Sequence, residues 1–382
     1  MKSILIINSL YRMSGGENSN IYDEIRFFKN KFRVSKVLFE NNKLNFYTLI
    51  SFFTFNNVQS NKLVKTYISE FNPDLIYLHN PWFSTNLGVI DIIVKKNIDL
   101  KIKFHNFRYY CGYFFLASNH LKNNEQCPMC GLNISELSYF NKYYEESYVK
   151  SFLLIVFNKA FVYKIIKNNI KLIVLSKIQK EKFFELGVNN ENITQIYNPT
   201  ATVKSVHYNV NSNYVVYAGR LSKSKGIPEL IETWEKFNPN SMVLKIVGDG
   251  DLAEYVKSKS KKGFIEYEGA LSHKDVINLI KDSRAVITAT KMYECQPKLL
   301  NEATSMGIPC IFPKFGTMEN FFPTNYLLSF KQYDYSNLLD KLKVLEDTKL
   351  MIALSEEVYI HTNLLLNPQE LISQYSGNFF NE

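Results

Sequence analysis

This chain has no long apolar run, no block of like charge, no internal repeat and no even set of cysteines. The N-terminus, Met1-Lys-Ser-Ile-Leu-Ile-Ile-Asn8, carries an apolar run too short for a secretory h-region and reads as a first β-strand. The most apolar later stretch, Phe152 to Ile166, is broken by Asn158, Lys159 and Lys164, so it reads as a buried or surface-lying helix and not as a membrane span. Five cysteines without an export signal argue against a disulfide framework. No Lys/Arg run is long enough for a basic tail, and no zinc-finger, helix-turn-helix or RNA-binding aromatic motif is found, so nucleic acid is not an expected partner. The expectation is a cytoplasmic protein, able to lie peripherally on the inner face of the cytoplasmic membrane.

What the chain does have is length, positive charge and a strong alternation of strand and helix patterns. Its 382 residues exceed one hydrophobic core and suit two domains. The net charge of +9 fits anionic substrates or an anionic membrane face. Strands are expected at Lys2–Asn8, Arg33–Phe39, Asp74–His79, Lys101–Phe104, Leu172–Leu175 and Asn192–Tyr197, with helices at Glu17–Asn30, Ser84–Lys95, Leu137–Ile166 and Lys177–Leu186. The stretch between Phe39 and Asp74 gives no regular pattern, and Thr200–Asn213 reads as a linker.

The alternation then restarts. Strands are expected at Tyr214–Ala218, Val243–Val247, Phe264–Tyr267, Ala285–Ile287, Pro309–Phe312 and Tyr326–Ser329. Helices are expected at Ile227–Lys236, Leu252–Lys259, His273–Lys281, Lys298–Met306 and Asn337–Asp347, with amphipathic helix within Leu350–Tyr375. The fold class is α/β: two doubly wound parallel sheets, with ligands beyond the carboxyl ends of the strands.

Two stretches carry chemistry. In Tyr217-Ala-Gly-Arg-Leu-Ser-Lys-Ser-Lys-Gly226, the cations Arg220 and Lys225 follow a strand end, where a planar donor fork and a mobile point charge suit a diphosphate. In Glu294-Cys-Gln-Pro-Lys-Leu-Leu-Asn-Glu302, two carboxylates bracket a helix start, suited either to binding hydroxyls or to acid/base work at a fixed separation. Gly219, and Gly248 of Val247-Gly-Asp-Gly250, let a ligand approach the backbone, as do Gly15 and Gly16 after the first strand.

These segments, with Tyr267-Glu-Gly269 and Gly307-Ile-Pro309, occur in order over Tyr214–Phe322 and resemble the retaining glycosyltransferases with two Rossmann-like domains, family 4. The resemblance implies a GT-B fold, two Rossmann-like domains facing across a cleft. The implied division is an acceptor-binding domain 1–205 with a cysteine-containing loop 105–131, a nucleotide-sugar-binding domain 206–355, and a helical segment 356–382 packing back on the first domain.

It also implies roles. Arg220 and Lys225 hold the donor diphosphate, Glu294 approaches the donor sugar, and Glu302 binds the ribose. Backbone amides around Pro297, Lys298 and Leu299 touch phosphate, and His105, at a strand end, stands near the reaction centre. The chain departs from the family pattern at Phe315-Gly-Thr-Met-Glu319, where Thr317 replaces the usual residue, and at Cys295-Gln296, where small residues are frequent.

Cys111, followed by Cys127-Pro-Met-Cys130, has metal-ligand character, with His105 or His120 as fourth ligand. His120 is the better choice if His105 serves the reacting sugar. Reduced cysteines or a local disulfide remain the other readings. No cofactor is required for catalysis, since no Asp-x-Asp pair is placed for a catalytic metal.

The implied donor is a nucleotide sugar of UDP or GDP type, and the acceptor a saccharide or lipid-linked saccharide of bacterial surface polysaccharide synthesis. Arg108, Tyr109, Tyr110, Tyr113, Phe114 and Phe115 are candidates to face it or an anionic membrane. The alternatives are an epimerase or phosphorylase of the same architecture and a non-catalytic saccharide- or nucleotide-binding protein; the presence of Arg220, Lys225, Glu294 and Glu302 argues against the latter.

Overall fold

The computed structural model describes residues 1–10, 16–40, 50–51, 53–82, 84–107, 147–200, 208–238, 242–260, 263–314 and 316–380. They form two compact units. The first takes the described residues up to Pro199 and from Pro368 onward, and the second is Thr200–Asn367.

In the first unit, β1 (Ser3–Leu10), β2 (Arg33–Glu40), β3 (Leu75–Leu78), β4 (Asp99–Lys103), β5 (Lys171–Val174) and β6 (Ile193–Gln195) make one parallel sheet in the order β2-β1-β3-β4-β5-β6. Ile4 sits in register with Val34 on one side and Leu75 on the other. Ile4 to Ile7 and all of β3 are buried, because crossover helices cover both faces of a parallel sheet. The winding reverses between β1 and β3, which puts the ligand crevice of such a sheet beyond their carboxyl ends. His79 directly follows β3, and His105 follows β4 after one residue.

Helices over Gly16–Phe28, Gly88–Lys95, Tyr148–Lys167 and Lys177–Glu185 belong to this unit. A further helix, Val58–Phe71, lies in the stretch whose sequence gives no pattern. It buries Ser60, Val64 and Ile68 on one face, is capped by the Asn57 side chain and ends at Asn72 in the left-handed region. With two apolar anchors among fourteen residues, its periodicity is too faint to read. Among the described residues, no helix is long and apolar enough to cross a membrane.

The second unit repeats the architecture. β7 (Tyr214–Ala218), β8 (Val243–Val247), β9 (Ile265–Gly269), β10 (Ala285–Ile287), β11 (Cys310–Lys314) and β12 (Ser329–Lys331) form a parallel sheet in the order β12-β11-β10-β7-β8-β9, with its reversal between β7 and β10. The helix Ile227–Phe237 buries Ile227, Leu230, Ile231 and Trp234 as one stripe, and the Trp234 indole donates to the Phe264 carbonyl at 3.0 Å. The short helix Lys298–Ser305 is buried from Leu300 onward. Thr304 receives a hydrogen bond from Thr362 of the long helix Thr348–Leu365 at 2.8 Å.

The end of the chain divides differently from the expected boundary at 355/356. The helix Thr348–Leu365 stays with the second unit, because Ser355 donates to the Gly307 carbonyl at 2.5 Å and Met351, Leu354 and Val358 are buried. The change of unit comes at Pro368, which opens the last helix, Pro368–Phe380. Its Tyr375 and Phe379 set their rings against Phe28 and Tyr77 of the first unit.

Candidate functional site

The switch point of the second sheet gathers the residues singled out there. β7 ends at Ala218, and the turn that follows is fixed from below by Tyr217, whose buried hydroxyl donates to the Arg220 carbonyl at 2.9 Å. Burial, reinforced by the Glu294 charge, raises that phenol above its ordinary range. The Arg220 side chain is exposed, and among the described residues its guanidinium has neither a hydrogen bond nor an ion pair. Gly248, at φ +138°, lies so close beneath the turn that a Cβ would sit 1.9 Å from the Gly219 carbonyl oxygen.

Lys225 ends a single 3-10 turn, Lys223–Lys225, and Gly226 follows at φ +69°. A Cβ on Gly226 would come within 2.0 Å of the Ala289 carbonyl oxygen, so only glycine lets this loop close on the segment after β10. The contact is sealed by Lys291 N–H to the Ser224 carbonyl at 2.9 Å and by an ion pair of Lys291 with Glu229. Lys225 is thereby brought to Glu294, with its Nζ 2.5 Å from Oε1 and both side chains about a quarter exposed.

Glu294 is held from two sides. Thr290 Oγ1 lies 3.5 Å from its carboxylate, and the fully buried Thr317 donates to the main-chain carbonyls of both Glu294 and Cys295. Thr317, read from the sequence as a departure, is therefore the anchor of the Glu294 loop. The side chains of Cys295 and Gln296 are buried.

Glu302 is the fifth residue of the helix Lys298–Ser305 and is 7% exposed. Its Oε1 meets His273 Nε2 at 2.9 Å and Lys298 Nζ at 3.7 Å. The two glutamates thus each hold their own cation, an arrangement for binding hydroxyls more than for a coupled acid and base. The amides of Lys298 and Leu299 precede the first intrahelical bond, Asn301 N–H to the Pro297 carbonyl, and so lie in the first turn of the helix. His273 was not found by sequence reasoning; its only signal was its place at the start of a helix.

In the first unit, the structure surrounds His105 with partners that no motif announced. His105 Nε2 lies 2.8 Å from His79 Nδ1, and the rings stack at 5.1 Å. His79 Nε2 is 3.6 Å from Glu24 Oε2. The other Glu24 oxygen takes a hydrogen bond from Lys103, whose Nζ also donates to the Tyr375 hydroxyl at 2.5 Å. Tyr375 in turn reaches the Tyr197 carbonyl at 3.0 Å.

Glu24, His79, Lys103 and Tyr375 are all buried. Burial holds both imidazoles well below the usual histidine range, helped at His79 by His105 and then Lys103 and at His105 by Lys103, while burial raises Glu24 against the pull of Lys103. Glu24, His79 and His105 lie close together, and the Lys103 ammonium holds one of the two Glu24 oxygens. Gly16 begins the first helix. Gly15, Cys111, His120, Cys127, Cys130 and the aromatic and basic stretch Arg108–Phe115 lie outside the described residues, while Cys295 and Cys310 are buried free thiols.

Comparison with known proteins adds three findings. Residues 201–359 match the model of the family Glycosyl transferases group 1. The amylovoran biosynthesis glycosyltransferase AmsD of Erwinia amylovora is 32% identical over 100 residues, a match that takes in 26% of this chain and 28% of that relative's length. Among solved structures, HepE of Anabaena in complex with UDP and glucose has 14% identity and a TM-score of 0.67 over 99% of both chains. Sucrose-phosphate synthase of Thermosynechococcus elongatus has 14% identity and a TM-score of 0.68 over 98% of both. At such identity the likeness speaks for the fold, which is of the GT-B type.

Proposed function

We propose that this chain, whose residues 201–359 belong to the group 1 glycosyl transferases, moves a sugar from a nucleotide-diphosphate donor to a hydroxyl of a saccharide acceptor, with retention at the anomeric carbon. The observation that carries the reading is the Lys225–Glu294 pair beside the unpaired Arg220, at the point where the second sheet reverses. A diphosphate laid on Arg220 and the amides of Lys298 and Leu299 would draw Lys225 to itself. Glu294 is then released to take the hydroxyls of the sugar, and Glu302 to take those of the ribose.

In the transfer, the bond from C1 to the β-phosphate oxygen breaks and a bond from C1 to the acceptor oxygen forms on the same face. The acceptor proton goes to the departing phosphate oxygen, so no protein nucleophile is needed. Arg220 and Lys225 stabilise the charge that grows on that oxygen. His105 is assigned to a hydroxyl of the sugar substrate.

The neighbour crystallised with UDP makes uridine the first base to test, and guanosine the second. AmsD, named for amylovoran biosynthesis, favours an acceptor within a growing polysaccharide; that this acceptor is lipid-linked and met at a membrane face is our further proposal. The test is a panel of UDP- and GDP-sugars, scored by thermal shift, by donor hydrolysis and by transfer to lipid-linked saccharides. One donor class should stabilise the protein and be turned over. A panel in which no donor is bound or cleaved contradicts the reading.

A further inference from the structure

Two places outside the donor site are candidates for more: the outward aromatic residues of the helix Tyr148–Lys167, and the buried chain behind His105. The second is carried furthest, because its hydrogens can be assigned. His79 turns Nε2 toward the Glu24 carboxylate at 3.6 Å. A proton on that nitrogen faces the negative oxygen favourably, whereas a lone pair would be repelled. With Nε2 protonated and the ring neutral, His79 Nδ1 is left as an acceptor, and the 2.8 Å contact is a bond donated by His105 Nε2–H. His105 then carries its lone pair on Nδ1, an atom that is shut off from solvent and has no partner among the described residues.

We infer that Glu24 and His79 are positioning residues which lock His105 in the Nε2–H tautomer, so that its Nδ1 accepts a hydrogen bond from a hydroxyl of the sugar substrate. An unmet buried acceptor is costly, and a substrate hydroxyl is the group that would satisfy it. Charged groups face this chain from every element around it: Glu24, with Asp23 beside it, on the first helix; Tyr77 edge-on to His79; Lys103 on β4; and Tyr375 on the last helix. Lys103 neutralises Glu24, and its positive charge also works against a proton on either imidazole. The role of His105 at the sugar rests on the function proposed above, whereas its tautomer does not.

The two claims are therefore tested separately. Nitrogen-15 NMR of histidine-labelled protein, with six histidines assignable by single substitutions, should find His79 and His105 both neutral and both protonated on Nε2 at neutral pH. A proton on His105 Nδ1, or an imidazolium at either residue, overturns the relay. For the role, His79→Phe removes the acceptor while keeping the ring, and should lower kcat roughly 10-fold or more with donor KM little changed. His79→Asn, which places an amide oxygen near the Nδ1 position, should recover most of that loss.

Equal damage in both variants, or none in His79→Phe, overturns the positioning role; if His79→Phe does not fold, His79→Asn and the wild-type spectrum still decide. Loss of donor hydrolysis together with transfer would place the hydroxyl on the donor sugar, and loss of transfer alone would place it on the acceptor. An enzyme with the expected tautomers that turns over no nucleotide sugar refutes the function and leaves the relay standing.

Discussion

The polar centres of the two units are built in opposite ways. In the second unit, Arg220, Lys225, Glu294 and Glu302 come from two short segments; Arg220 is exposed, Lys225 and Glu294 form a partly exposed pair that a ligand can take over, and Glu302 is buried beside Lys298. In the first, Glu24, His79, Lys103, His105 and Tyr375 come from four separate elements and are buried or half-buried, with their protons fixed by one another. The difference teaches where exchange is possible. Partly exposed ion pairs are worth little and are readily traded for a ligand, whereas buried ones are expensive to break. On the proposed function, the second unit would take and release an anion, and the first would hold a hydrogen-bond acceptor in one orientation.

The largest expected effect tests the open centre. Arg220→Ala and Glu294→Ala should each lower transfer by roughly 100- to 1000-fold, measured as kcat/KM, with melting temperatures close to wild type. Unchanged turnover in both would erase the distinction between the two centres. His273→Ala should act more mildly, raising donor KM about 10-fold with kcat nearly intact, because it loosens Glu302 without touching the leaving group. An equal fall in kcat would mean that Glu302 serves the transition state.

Thr317→Val should cost about 1–3 kcal/mol in denaturant unfolding, since it leaves the Glu294 and Cys295 carbonyls without their shared donor. No loss of stability would mean that the Glu294 loop is held by other contacts. The smallest effect lies far from both centres. Asp74 accepts from the Ser3 amide and hydroxyl, each at 2.7 Å, and these bonds hold its carboxyl below the ordinary 3.8. Its stabilising contribution is fully present above that ordinary value and is lost as the pH falls through the lower folded-state value. Asp74→Asn should therefore melt slightly lower than wild type near neutrality, with the gap closing in acid; a gap that widens in acid would contradict the assignment.

The same contrast explains what could be read from the sequence. β7, β8 and β10 lie where their apolar runs put them, and Arg220 with Lys225, like Glu294 with Glu302, falls within one recognisable segment. A centre assembled that way survives in one-dimensional form. His105 was legible as a strand-end histidine, but the residues that orient it were not. Lys103 and Tyr375 are 272 residues apart, and Glu24 and Lys103 are 79 apart.

Each of those residues has an ordinary place in its own element. Glu24 lies within the amphipathic first helix, and Lys103 ends a largely buried strand. Only the strand order β1-β3-β4 and the return of the last helix bring them together. The change of unit at Pro368 was misplaced for a related reason. The helix Thr348–Leu365 carries a buried stripe whose partner, the helix of Glu302, is fixed by tertiary packing and not by any local signal.

Isothermal titration of UDP and GDP into the wild type, Arg220→Ala and Glu294→Ala bears most directly on the proposal that the second unit grips a nucleoside diphosphate through Arg220 and through Lys225, which otherwise pairs with Glu294. One nucleotide should bind the wild type, about 10-fold or more weaker to Arg220→Ala, and at least as tightly to Glu294→Ala, where Lys225 is freed from its carboxylate. Equal affinity for all three proteins, or weaker binding to Glu294→Ala than to Arg220→Ala, would contradict it.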